Sequence, residues 1–165
     1  MKATMPTRLL PGLLALAVAV AVAVAQPPDK AAHLAIVVNK QSSLSDISSA
    51  ELARYFKAER SKTPNGVKLV VVMQEPGRPE RAAALRDILK MTEAEYGKHI
   101  LHATFTGAVA GTPKALASSR AVIEFVGVTA GGLGYVRGDE ADDSVKVLKV
   151  DGKFPGEAGY AFSVK

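Results

Sequence analysis

Apolar residues along the chain come in short continuous runs, separated by polar segments that carry helix-start signals. The longest run, Leu13 to Ala25, is an unbroken 13 residues. Lys2 and Arg8 precede it, Ala23-Val24-Ala25 ends it, and Gln26-Pro27-Pro28 breaks any helix beyond it. A basic start, an apolar stretch and a small-x-small ending are the three parts of a cleavable secretory signal, in order. The run falls short of the roughly 20 apolar residues that span a bilayer, and Pro11-Gly12 interrupts it upstream. Residues 1–25 are therefore expected to be removed on export. Residues 26–33 read as a flexible lead-in, and residues 34–165 as one domain.

Within that domain, Leu34 to Val38 (LAIVV) is a short apolar run of the kind a buried strand carries. Ser48-Ser49-Ala50-Glu51 is a capping box flanked by Ile47 and Leu52 at the staple positions. The helix it starts should bury Leu52, Tyr55 and Phe56. Pro64-Asn65-Gly66 predicts a turn, and Val67 to Met73 (VKLVVVM) a second buried strand. A loop, Gln74-Glu75-Pro76-Gly77-Arg78, then leads to Pro79, which suits the first position of a helix with Ala82, Leu85, Ile88 and Leu89 on one side. Thr92-Glu93-Ala94-Glu95 is another capping box, opening a helix to about His102. Thr112-Pro113 predicts a short helix and Ser118-Ser119 a longer one carrying Val122, Ile123, Phe125 and Val126. Leu133 to Val136 reads as a strand. The alternating Val145 to Val150 reads as a half-exposed one, followed by the Asp151-Gly152 turn and a last strand over Tyr160 to Val164. Strands alternating with helices predict an α/β domain around a small central sheet.

Composition narrows the function. With no cysteine, disulfides, lipid attachment, thiol catalysis and cysteine-zinc sites are excluded. Beyond residue 25, nineteen basic residues face sixteen acidic ones, with no basic run, which argues against a nucleic-acid partner. No later run is long enough to span a membrane, so the mature form is expected not to be membrane-spanning. No Gly-x-Ser-x-Gly elbow is present, and Gly131-Gly132-Leu133-Gly134 lacks the Lys-Ser/Thr ending of a phosphate loop. No catalytic residue set emerges, and an enzyme is not expected. His99 and His102 lie three apart on the predicted helix with Glu95 four residues before His99, but the further ligands a metal site needs are not evident, so neither metal nor cofactor is expected.

The candidate chemistry is anion binding. Gln74, Gly77, Arg78 and Arg81 lie where a strand ends and a helix begins, where free amides and arginines can meet a small anion. Glu75 and Glu80 lie in the same loop and offset that field. Ser42 and Ser43 follow the first strand, and would join the Gln74 loop if both strands ended at the same edge of the sheet.

The order of these pieces resembles a known family. The first strand, Ser43-Leu44-Ser45, the helix ending Arg54-Tyr55-Phe56, the strand Val67–Met73 with its loop, and Ala130-Gly131-Gly132-Leu133-Gly134-Tyr135-Val136 are similar in order to the substrate-binding proteins of phosphate ABC transporters. The resemblance covers about residues 34–150. It implies one lobe of a type II periplasmic binding protein-like fold, a small mixed sheet flanked by helices, working in the periplasm or secreted. It also implies phosphate or another small anion as ligand, and a membrane transporter or envelope protein as partner. Two departures bear on function. Those proteins have two lobes that close on phosphate, whereas this domain has the length of one. Their gripping loop has an arginine and then Ser-Gly-Thr, where this chain has Gln74 and then Arg78-Pro79-Glu80. Two functions are consistent with these readings: an exported anion-binding protein for phosphate transport, or a non-transport envelope interaction module that has lost phosphate binding.

Overall fold

The computed structural model describes residues 29–164. The expected signal and residues 26–28 of the lead-in lie outside them. Residues Lys30–Ala32 form a 3₁₀ turn leading into β1 (Leu34–Asn39). Then follow β2 (Asp46–Ile47), α1 (Ser49–Phe56), β3 (Val70–Gln74) and α2 (Pro79–Ala83), which continues without a break as a π-helical turn over Ala84–Leu89. The rest is α3 (Glu93–Phe105), β4 (Lys114–Leu116), α4 (Ser119–Val128), β5 (Gly132–Arg137), β6 (Val145–Val147) and β7 (Lys149–Val150).

Five strands form one mixed sheet in the order β4-β3-β5-β1-β6, and β2 pairs with β7 beside it. β3 is parallel to both β4 and β5, while β1 runs antiparallel to β5 and β6, with Leu34 opposite Arg137 and Val37 opposite Val147. All six residues of β1 are buried because helices cover both faces of the sheet. Leu34, Ile36 and Val38 join a core with α1, α2 and the π-turn, and Ala35 and Val37 join a second core under α4. Gly134 lets α4 lie this close: a Cβ there would sit 2.8 Å from methyls of both Val72 and Val122.

The helices expected after Ser48, Thr92 and Ser118 begin where those caps place them. Ser48 Oγ accepts the Glu51 N–H at 3.2 Å, and Leu52, Tyr55 and Phe56 are buried. The Glu51 carboxylate does not reach back; it accepts the Tyr55 hydroxyl at 3.1 Å and pairs with Arg60. At Thr92 both halves of the capping box are made.

Five expectations are corrected. Thr112-Pro113 leads not to a helix but to the edge strand β4, whose backbone is held by the parallel ladder to β3. The second buried strand begins at Val70, because residues 61–69 fold as a hairpin with Lys62 bridged to Lys68. Val145–Val150 is two strands, since β6 pairs with β1 and β7 with β2, and fully buried Leu148 lies between them. Tyr160–Val164 makes only a bridge from Ser163 to His33, and Ala82 is exposed while Ala83 and Ala84 are buried. The widened π-turn places the adjacent alanines inward instead.

Candidate functional site

β3, β4 and β5 are parallel and therefore end together; that end of the sheet is called upper here, and the end where they begin is called lower. The loop from Gln74 to Arg81 is at the upper end. Gln74 is fully buried. Its N–H donates to the Tyr135 hydroxyl at 3.1 Å and its side-chain amide to Ser119 Oγ at 3.0 Å. Its side-chain oxygen accepts from Arg78 Nε at 3.4 Å. Burial pushes the Tyr135 hydroxyl well above the ordinary tyrosine range, outweighing the hydrogen bond from Gln74 and the nearby Arg81 charge.

Arg81 is buried as well. One guanidinium nitrogen donates to the Gln74 carbonyl at 2.9 Å, and two others grip the Glu93 carboxylate at 2.8 and 2.6 Å. Its face stacks over Tyr96, 5.4 Å from the ring centroid. Hydrogen bonding to Glu93 raises the Arg81 pKa against the opposing effect of burial. Burial pushes the Tyr96 hydroxyl up to about 12.

Glu80 has the position that decides the character of the loop. Only 2% of it is exposed, and Oε2 is buried with no hydrogen-bond partner. The nearest cation is Arg78, with Nε 3.6 Å from that oxygen. Pro79, at the first helical position, contributes no N–H. Gly77 turns the chain at φ +89°, a conformation open to glycine without steric cost. Arg78 and Arg81 are thus matched by Glu80 and Glu93 within the chain, and Glu75 adds a further exposed carboxylate.

The structure brings Gln74, Gly77, Arg78 and Arg81 together and leaves Ser42 and Ser43 apart. β1 runs antiparallel to β5, and β5 parallel to β3, so the loop after β1 emerges at the lower end of the sheet. The expectation of a shared edge fails on strand direction. Ser42 Oγ accepts the Leu44 N–H at 3.2 Å, and its carbonyl accepts Lys146 Nζ, while Ser43 is exposed. His99 Nε2 is 3.0 Å from the Lys57 carbonyl, and no cluster of metal-ligating side chains exists among the described residues. Sequence reasoning missed Glu93, Ser119 and Tyr135 as parts of the loop network. For Glu93 a signal was present: its capping box has two glutamates where one suffices.

No family model and no curated protein matches the chain. Solved structures do. An ABC-type phosphate transport receptor from Vibrio cholerae matches with TM-score 0.62 at 20% identity, over 75% of this chain and 48% of that one. PstS from Borrelia burgdorferi matches with TM-score 0.59 at 15% identity, over 75% and 49%. A phosphate-binding protein from Stenotrophomonas maltophilia matches with TM-score 0.55 at 18% identity, over 75% and 40%. The chain has the fold of these substrate-binding proteins and spans about half their length. No helix among the described residues is long and apolar enough to cross a membrane.

Proposed function

We propose that this chain is an exported, single-lobe relative of the phosphate-binding proteins that does not itself clamp phosphate, and that it works as a non-transport interaction module of the cell envelope. One observation carries the reading: the buried Glu80 carboxylate, beside Arg78, at the start of the helix that follows the loop. A carboxylate only accepts hydrogen bonds. It therefore competes with an incoming phosphate for Arg78 and repels it. Arg81 is already gripped by Glu93, and the Gln74 amide by Ser119.

Calorimetric titration with phosphate tests it. The unsubstituted protein should give no saturable heat up to millimolar phosphate. The triple variant Arg78→Ser, Pro79→Gly, Glu80→Thr, with Gln74→Arg added, should gain a response if the loop alone abolishes binding. Saturable phosphate binding by the unsubstituted protein would overturn the proposal in favour of the anion-binding, transport-linked reading.

A further inference from the structure

The lower end of the sheet presents the opposite arrangement. α1, α3 and α4 each lead into a strand that begins there, so their C-terminal ends and three connections converge on it: the hairpin 61–69, the loop 106–113 and the turn 129–131. Contacts tie these together. Ala110 N–H donates to the Ala58 carbonyl at 2.9 Å, Leu69 N–H to the Ser61 carbonyl at 2.7 Å, and Val70 N–H to the Gly131 carbonyl at 2.9 Å. A Cβ on Gly131 would lie 2.2 Å from the Lys68 carbonyl oxygen, which shows how closely the hairpin and the turn abut.

This end is basic. Lys57, Arg60, Lys62, Lys68, His102 and Lys114 gather there, and residues 60–74, 96–123 and 125–136 contain no Asp or Glu. Every ion pair among the described residues uses an arginine, so these lysines have no carboxylate partner. Of the bordering acids, Glu59 lies 3.9 Å from Arg54, and beyond Gly127 Asp142 accepts from Ser144 and lies 3.8 Å from Arg120, while the neighbouring Asp143 is exposed and in no ion pair among the described residues. Lys57, at the C-terminal end of α1, complements the negative end of that helix. That does not account for Lys62 and Lys68, exposed and directly opposite one another across a β-bridge, where like charges repel.

The same end is also apolar at its tips. Of the five large exposed hydrophobic residues among those described, three are there: Val67 at 46% exposure, Phe105 at 83% and Val128 at 86%. Val67 stands on the hairpin, Phe105 at the C-terminal end of α3 and Val128 at that of α4. The small hollow between hairpin and loop, about 200 Å³ and lined by Arg60, Lys68, Thr112 and Lys114, is too small for a folded partner's side. Protruding apolar tips among unpaired lysines suit a fluid anionic interface, which needs charge and insertion but no shape match.

We propose that the lower end of the sheet docks on an anionic lipid surface, Lys62 and Lys68 meeting the headgroups and Val67, Phe105 and Val128 entering the interface. This rests on the reading of the chain as an envelope interaction module, but not on the state of the upper loop, so phosphate titration and lipid binding fail independently.

The test is co-sedimentation with vesicles of about three parts phosphatidylcholine to one part phosphatidylglycerol, using the protein as processed by the exporting cell. The expected result is binding to these and not to pure phosphatidylcholine, weakened by salt. Lys62→Glu with Lys68→Glu should weaken it by about tenfold or more, and Val67→Ser with Val128→Ser should weaken it while leaving thermal unfolding unchanged. The neutral pair Lys62→Gln and Lys68→Gln serves if the charge reversals do not fold. Equal binding to both vesicle types, binding indifferent to the lysine substitutions, or retention by soluble heparin with no vesicle binding would overturn the proposal.

Discussion

The two ends of the sheet treat charge in opposite ways. At the upper end Arg78, Arg81 and Arg86 each face a carboxylate of the chain itself, and the buried Gln74 ties Arg78 and Arg81 into one network. At the lower end the lysines have none, and two of them face each other. The ends nevertheless share strands β3 and β5, so the difference lies in the connections and not in the frame. In a fold shared with structures named as a phosphate transport receptor and a phosphate-binding protein, the edge carrying the Gln74 loop has its arginines matched by carboxylates, and the opposite edge carries lysines without such partners.

The largest expected effect separates paired from unpaired cations. Arg81→Ala removes the partner of a buried carbonyl and of Glu93, and should cost about 2–3 kcal/mol in urea unfolding. Lys68→Ala should change stability by less than about 0.5 kcal/mol. Equal costs would erase the comparison. Next comes the scaffold of the lower end. Asn39, buried at the end of β1, donates to the Val126 and Gly127 carbonyls at 3.0 and 2.9 Å and so caps α4. Asn39→Ala should cost about 1–2 kcal/mol, and hydrogen exchange should rise at residues 126–131 and not at the Gln74 loop.

The smallest effect concerns acid. Burial pushes the Asp87 carboxyl up, but bonds from Arg86 and the Ser163 N–H outweigh it and hold the pKa below the ordinary aspartate range. A group with a lowered folded pKa contributes stability above its unfolded value, and that contribution disappears as pH falls below about 4. Acid should thus loosen the contact between the π-turn and the C-terminal segment first, and Asp87→Asn should flatten that part of the stability profile. An unchanged profile would remove Asp87 from the paired network.

Much of the fold was legible because its local signals are strong. Ser48, Thr92 and Ser118 all cap the helices that follow them, and the run at Leu34–Val38 is a strand buried on both faces. What stayed hidden depended on pairing across the chain. Lys114–Leu116 is a strand only because β3 lies beside it, and the direction of β1, which sends Ser42 and Ser43 away from Gln74, is set by its ladder to β5. At the candidate site, Gln74, Arg78 and Arg81 were identifiable by type and position. That Arg81 would turn to Glu93 instead of Glu75 or Glu80, and that Glu80 would be buried, required the packing of α3 against the loop.

The most direct measurement is calorimetric titration of the unsubstituted protein with phosphate at neutral pH. An internally neutralised upper loop predicts no saturable heat at millimolar phosphate. Saturable binding that weakens on Arg78→Ala would contradict it, because the Arg78 guanidinium would then be free for an external anion despite the carboxylate 3.6 Å away.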